Sequence, residues 1–143
     1  MKILVTGSSG FIGYHLSKKL LKNKKNLVIG LDNNNNYYST KIKNLKLKFL
    51  KKKINFKFFK VDISNKKKIN HIFRKFRPQI VFHIAGQPGV LYSFKNPLSY
   101  KINNINATRN ISNISKQYNV EKFIFASSSS IYGDQKSFPI KEN

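Results

Sequence analysis

Apolar residues recur along the chain in two rhythms that take turns. Residues 2–6 (KILVT) are a short apolar run that stops at glycine, and Phe11 to Leu21 then carry Ile12, Leu16 and Leu20 at helical spacing. Asn26 to Leu31 (NLVIGL) reads as a second strand closed by Asp32, followed by the polar stretch DNNNNYYST and a lysine-rich helix over Lys41–Lys52. Ile54 to Ile63 (INFKFFKVDI) alternates and is rich in aromatic and β-branched residues, as a third strand should be. Ile69, Ile72, Phe73 and Phe76 share one helical face, and that helix must stop before Pro78. Gln79 to Ala85 (QIVFHIA) predicts a buried strand. Pro97 opens the longest helix, with Leu98, Ile102, Ile105 and Ile114 turned inward, and Glu121 to Ala126 (EKFIFA) makes the fifth strand. Alternation of this kind predicts an α/β fold in which continuous apolar strands form a parallel sheet covered by helices on both faces. Residues 1–143 are expected to form a single domain, and Asn33–Asn36 a polar loop too short for a tether.

Charge modifies this picture less than its size suggests. The chain holds 28 Lys+Arg against 5 Asp+Glu, a net charge of +23, which would ordinarily point to a nucleic-acid or anionic-surface binder. Only Arg74, Arg77 and Arg109 are arginine, however, and the lysines are spread among Asn and Ile over the whole chain. Arginine is the side chain that bidentate phosphate and base contacts favour. A chain-wide drift in composition, with most lysines on solvated faces, therefore accounts for the excess better than a binding patch. The absence of cysteine excludes disulfides and thiolate metal sites. The N-terminus has neither a signal peptide nor a membrane span, so a soluble, cytoplasmic protein is expected. His15 and His71 have no acidic neighbours at metal-ligand spacing, no metal site is expected, and His83 in the fourth strand reads as a packed core histidine.

The chemistry concentrates at the strand ends. In TGSSGFIG, Thr6 to Gly13, glycines recur as G-x-x-G-x-x-G between a strand and a helix. Gly7 permits the tight turn, Gly10 lets backbone approach a pyrophosphate, and Gly13 lets the helix pack against the strand. The helix N-terminus would hold a diphosphate on the amides of Gly10, Phe11 and Ile12. Asp32 ends the next strand, where an acid accepts hydrogen bonds from ribose hydroxyls and repels a 2′-phosphate, so that NAD is favoured over NADP. A turn-forming role before the asparagines is the alternative for Asp32. Asp62, at the end of the third strand, faces an adenine edge or caps the following helix.

Taken in order, VTGSSGFIG, LDNNNNYY, KVDI, HIAGQPGV and FIFASSSSIYGD resemble the extended short-chain dehydrogenase/reductases that act on nucleotide sugars. Asp32-Asn33 with Tyr37-Tyr38, and GQPGVLYSFKNP from Gly86 to Pro97, are most similar to UDP-glucuronate 4-epimerases, with UDP-glucose 4-epimerases close behind. The resemblance implies a Rossmann-type sheet of order 3-2-1-4-5, truncated. It also implies an NAD site in which Gly7, Gly10, Phe11, Ile12 and Gly13 cradle the pyrophosphate and Asp32 with Asn33 holds the ribose. Asp62 and Ile63 would take the adenine, Ala85, Gly86 and Gln87 the nicotinamide side, and Asn103 would fix the loop beneath it. Ser128 would be the catalytic serine, bonded to the 4-hydroxyl of a UDP-sugar whose C4 hydride is removed and returned. Leu91 stands where the glucuronate epimerases usually carry arginine, and Pro88 replaces a small residue; both bear on substrate choice.

The base of such enzymes is the tyrosine of a Tyr-x-x-x-Lys pair, which must lie on one helical face beside the nicotinamide. Tyr14-Lys18, Tyr37-Lys41, Tyr118-Lys122 and Tyr132-Lys136 all fit the spacing. Only Tyr132 is near the serines, and Gly133-Asp134 after it favours a turn over a helix. The chain is therefore expected to be the N-terminal part of such an enzyme, without the base and the C-terminal substrate-binding lobe. A homodimer or a complementing C-terminal half is the expected partner. An NAD-binding module without turnover, part of a nucleotide-sugar dehydratase, and a basic nucleic-acid binder are the competing readings, the last without any motif to support it.

Overall fold

Five parallel strands carry the molecule: β1 (Lys2–Thr6), β2 (Leu27–Asp32), β3 (Phe56–Lys60), β4 (Ile80–His83) and β5 (Lys122–Phe125), in spatial order β3-β2-β1-β4-β5. They belong to a computed structural model that describes residues 1–142. β1 pairs with β2 from Lys2↔Leu27 to Thr6↔Leu31 and with β4 from Ile3↔Ile80 to Thr6↔His83, so the chain leaves all three strands at the same edge of the sheet. The sheet order is the one the sequence resemblance implies.

Among the described residues six α-helices flank or cap the sheet: α1 (Phe11–Leu20), α2 (Thr40–Lys51), α3 (Lys66–Phe76), α4 (Val90–Lys95), α5 (Pro97–Tyr100) and α6 (Ala107–Gln117). Two apolar clusters form, one on each face. Ile69, Ile72 and Phe73 of α3 and Ala107, Ile111 and Ile114 of α6 pack on Leu4, Ile29, Leu31 and Val81. On the other face Ile3, Val5, Val28 and Phe56 meet Leu21 and Leu50, with Leu16 and Leu20 of α1 beside them. Burial of these aliphatic and aromatic groups is the main force holding helices to sheet.

The core departs from the sequence pattern in three places. Ile12, which shares its helical spacing with Leu16 and Leu20, is 59 % exposed, because it lies in the helix's first turn beyond the sheet edge. Leu98, Ile102 and Ile105 are exposed as well. Lys101–Asn106 is a π-helical segment between α5 and α6. Its wider turn shifts the helical phase, and the packed face is supplied instead by Ala107, Ile111 and Ile114. Finally β5, expected as a covered strand, is exposed along its whole length, because α6 packs against α3 and β4 and does not reach over it.

Candidate functional site

The loops that follow β1, β2, β3 and β4 enclose one cavity of about 340 Å³. Gly7, Gly10, Phe11, Ile12 and Gly13 form its floor; Asp32, Asn33 and Ile63 stand on the β2–β3 side, and Ala85, Gly86, Gln87 and Asn103 on the β4 side. Residues spread over most of the chain are thus brought together at the point where the sheet order turns from β2 to β4 about β1, the usual place for a crevice in such sheets.

The floor follows from its glycines. Gly7 has φ +69°, and a Cβ there would lie 3.0 Å from the Ala85 backbone. A Cβ on Gly13 would lie 2.7 Å from the Gly7 carbonyl carbon and 3.0 Å from Ser8 Cα, so only glycine lets α1 approach the turn this closely. The expected phosphate cradle is narrower than the sequence suggests. The Gly10 amide donates to the Gly7 carbonyl at 3.0 Å, and the helical ladder begins with Tyr14 N–H to the Gly10 carbonyl at 3.1 Å. The amides of Phe11 and Ile12 precede that ladder and point out of the helix end, where its dipole favours an anion.

The β2 side is a lattice of short hydrogen bonds. Asp32, 9 % exposed, accepts the Ser9 amide at 3.0 Å on one carboxylate oxygen and the Asn34 amide at 2.7 Å on the other. It therefore shapes the turn and lines the cavity at once, so the two roles considered for it are compatible. Asn33 Nδ2 donates to Asp62 at 3.0 Å, Asn33 Oδ1 accepts from Asn35 N–H, and Asn35 Oδ1 accepts from Tyr37 N–H and from the Lys43 ammonium at 2.9 Å. Lys43 Nζ also donates to the Asn35 carbonyl, and Lys43 is the only buried lysine or arginine among the described residues. Asn33–Asn35 is thus a fixed wall.

Asp62 does not line the cavity; it holds Asn33 from behind and accepts the Ser64 amide and hydroxyl. Burial would raise its pKa, but the Ser64 hydroxyl, Asn33 and the Ser64 amide together hold the carboxyl below its ordinary value. The cap of α3 is Asn65, which accepts from Lys68 N–H, and not Asp62.

On the β4 side the residue that fixes the loop is Asn104, not Asn103. Asn104 accepts the Gln87 amide at 2.6 Å and donates to the Gln87 carbonyl at 3.0 Å, whereas Asn103 donates back to Ser99 and presents its flank to the cavity. The π-helical segment carries both residues. Tyr100 donates to the carbonyls of Pro88 and Gly89. Its surroundings, and then the nearby Tyr37, Tyr92 and Tyr38, push its phenol above the ordinary value.

His83 is fully buried behind the same loop. Thr6 Oγ1 accepts the amides of Ile84 and Ala85 at 3.1 and 3.0 Å, so its own hydrogen goes to His83 Nδ1 at 2.8 Å. Nε2 then carries the ring proton and donates to Thr108 Oγ1 at 2.9 Å. Burial lowers the imidazole pKa to about 4. The core reading of this histidine holds, with a network attached.

Ser128 follows β5 at the cavity's edge of the sheet, exposed, and does not line the cavity. Ser129–Tyr132 is one 3-10 turn ended by Gly133 at φ +66°, so Tyr132 and Lys136 do not share a helix. Asn35, Tyr37, Tyr38 and Lys43, to which the sequence pattern gives no site role, also line the cavity, as does Pro88, expected to bear on substrate choice. Among the described residues, no cluster of His, Asp or Glu could hold a metal ion, and no helix is long and apolar enough to cross a membrane.

Comparison with known proteins bears on what this cavity is for. The family model described as GDP-mannose 4,6 dehydratase matches residues 4–143. The chain is 45 % identical over 139 residues to Protein CapI of Staphylococcus aureus, matching 97 % of this chain and 41 % of that protein. It is 42 % identical over 132 residues to the UDP-glucuronate 4-epimerase of Thermodesulfobacterium geofontis, matching 92 % of this chain and 41 % of the relative. Among solved structures, UDP-glucuronic acid 4-epimerase from Bacillus cereus in complex with UDP-glucuronic acid and NAD superposes with a TM-score of 0.87 at 36 % identity, over 96 % of this chain and 43 % of that one. The chain spans about two-fifths of the length of the curated relatives it matches.

Proposed function

The chain belongs to the GDP-mannose 4,6 dehydratase family, and on that premise we propose that it is the NAD-binding portion of a nucleotide-sugar 4-epimerase acting on UDP-glucuronate or UDP-glucose. One observation carries the reading: the glycine floor, the unpaired amides of α1 and the Asp32 carboxylate converge on a single cavity at the β1 switch point. The residues fit a dinucleotide. Gly13 leaves the helix end accessible, the amides of Phe11 and Ile12 bind the diphosphate, and Asp32 with Asn33 takes the adenosine ribose. Ile63 covers the adenine, and Asp62 serves it by holding Asn33. Ala85, Gly86, Gln87 and Asn103 orient the nicotinamide, whose chemistry when bound is to accept and return a hydride. Ser128 directs the sugar 4-hydroxyl.

By itself the chain is proposed to bind without turnover. The observation favouring this is that Tyr132 ends a 3-10 turn at Gly133, so it cannot share a helical face with Lys136. The uncovered β5 is our proposed contact with a complementing C-terminal portion or a second copy, and the cytoplasm is the proposed compartment. Isothermal titration with NAD tests the binding claim: saturable heat is expected, and its absence sinks the reading. Epimerisation of UDP-glucuronate by this chain would overturn the claim of no turnover.

A further inference from the structure

β1 and its glycine turn lie between β2 and β4, so any contact between the loops that follow β2 and β4 must arch over the cavity floor. One such contact exists. The Tyr37 ring, after β2, lies 5.2 Å from the Tyr92 ring of α4 at 55°, and Tyr92 lies 6.3 Å from Tyr100. The Tyr37 hydroxyl also sits against Gly89, at φ +99°, so closely that a Cβ there would collide with it. Each rim is separately anchored: Lys43 pins Asn35 on one side, and Asn104 and Tyr100 pin Gln87 to Gly89 on the other. The aromatic contact is therefore a latch between two stiff walls, and not part of either wall.

We infer that Tyr37 and Tyr92 latch the two rims across the cavity mouth and set how long a bound dinucleotide stays. The inference rests on the dinucleotide reading above. Tyr92 is the informative residue, because it does not itself line the cavity and meets the β2-side rim through Tyr37. An aromatic pair of this geometry slows release about three- to tenfold.

The test is stopped-flow release of NADH from the full chain, followed by its fluorescence after mixing with excess ADP-ribose. Tyr92→Leu is expected to raise the release rate about three- to tenfold while the association rate changes less. Tyr37→Leu raises it at least as much, and the double variant exceeds the larger single effect only slightly, since both break one contact. Unchanged release in Tyr92→Leu, or fully additive effects, overturns the latch while leaving the dinucleotide reading intact. No NADH binding by the wild-type chain overturns that reading, and the latch with it.

Discussion

Lowering the pH from 6.5 to 4 should destabilise the fold by about 3 kcal/mol through His83 alone. Both ring nitrogens are committed in the neutral form, Nδ1 accepting from Thr6 and Nε2 donating to Thr108. A second proton on Nδ1 would face a hydroxyl oxygen already accepting two amides, and burial withholds the water that would otherwise solvate the charge. The folded pKa of about 4 lies below the ordinary 6.5 of the unfolded chain. Between these values the unfolded state binds more protons, so stability rises with pH. The contribution is fully present above 6.5, is lost at about 1.4 kcal/mol per pH unit on the way down, and stops changing below 4. Urea denaturation of the wild type and of His83→Gln at half-unit intervals isolates it, because His15, His71 and the carboxylates cancel in the difference. That difference should climb by about 3 kcal/mol across the window. A difference flat in pH, or an NMR titration placing His83 near 6.5, refutes the network as drawn.

The other expectations concern the cavity walls. Gly13→Ala drives a Cβ into the Gly7–Ser8 backbone, which cannot yield as a flexible side chain could; a stability loss of about 1–3 kcal/mol by urea denaturation and loss of NAD binding are expected. Asp32→Asn leaves one amide donor facing a backbone N–H, since both carboxylate oxygens accept amides; calorimetry should give NAD binding weakened at least tenfold, and NADP losing less. Asn104→Ala removes both bonds to Gln87 and should cost about 1–2 kcal/mol and weaken NAD binding, whereas Asn103→Ala should leave the loop's hydrogen-exchange protection unchanged.

What could be read from the chain was whatever local spacing encodes. The glycine turn and Asp32 are recognisable because strand, turn and helix each leave a mark within a few residues, and Ile69, Ile72 and Phe73 announce their face in the same way. Periodicity states which residues share a face; it does not state that anything covers it. Leu98, Ile102 and Ile105 are therefore expected inside and are found outside. Asn103 and Asn104 are neighbours of one type, and only the phase of the π-helical segment decides which clamps the loop. Tyr37 and Lys43 are held at the cavity by the asparagine lattice, through Asn35. The asparagines directly after the strand-end acid are a signal for it, because Asn and Asp commonly bond backbone two residues on, as Asp32, Asn33 and Asn35 do here.

The bare edge of β5 has a further consequence, for the behaviour of the chain in bulk solution. Its Phe123, Ile124 and Phe125 side chains and its unpaired backbone edge make a template on which another strand could grow. What stands against this is the net charge of +23, which makes any two copies repel. That repulsion reaches about 30 Å at 0.01 M salt and only about 3 Å at 1 M. Ionic strength thereby acts as the valve on self-association: the lysines that contribute little to folding keep the chain dispersed in dilute buffer, and salt that masks them brings bare edges into contact.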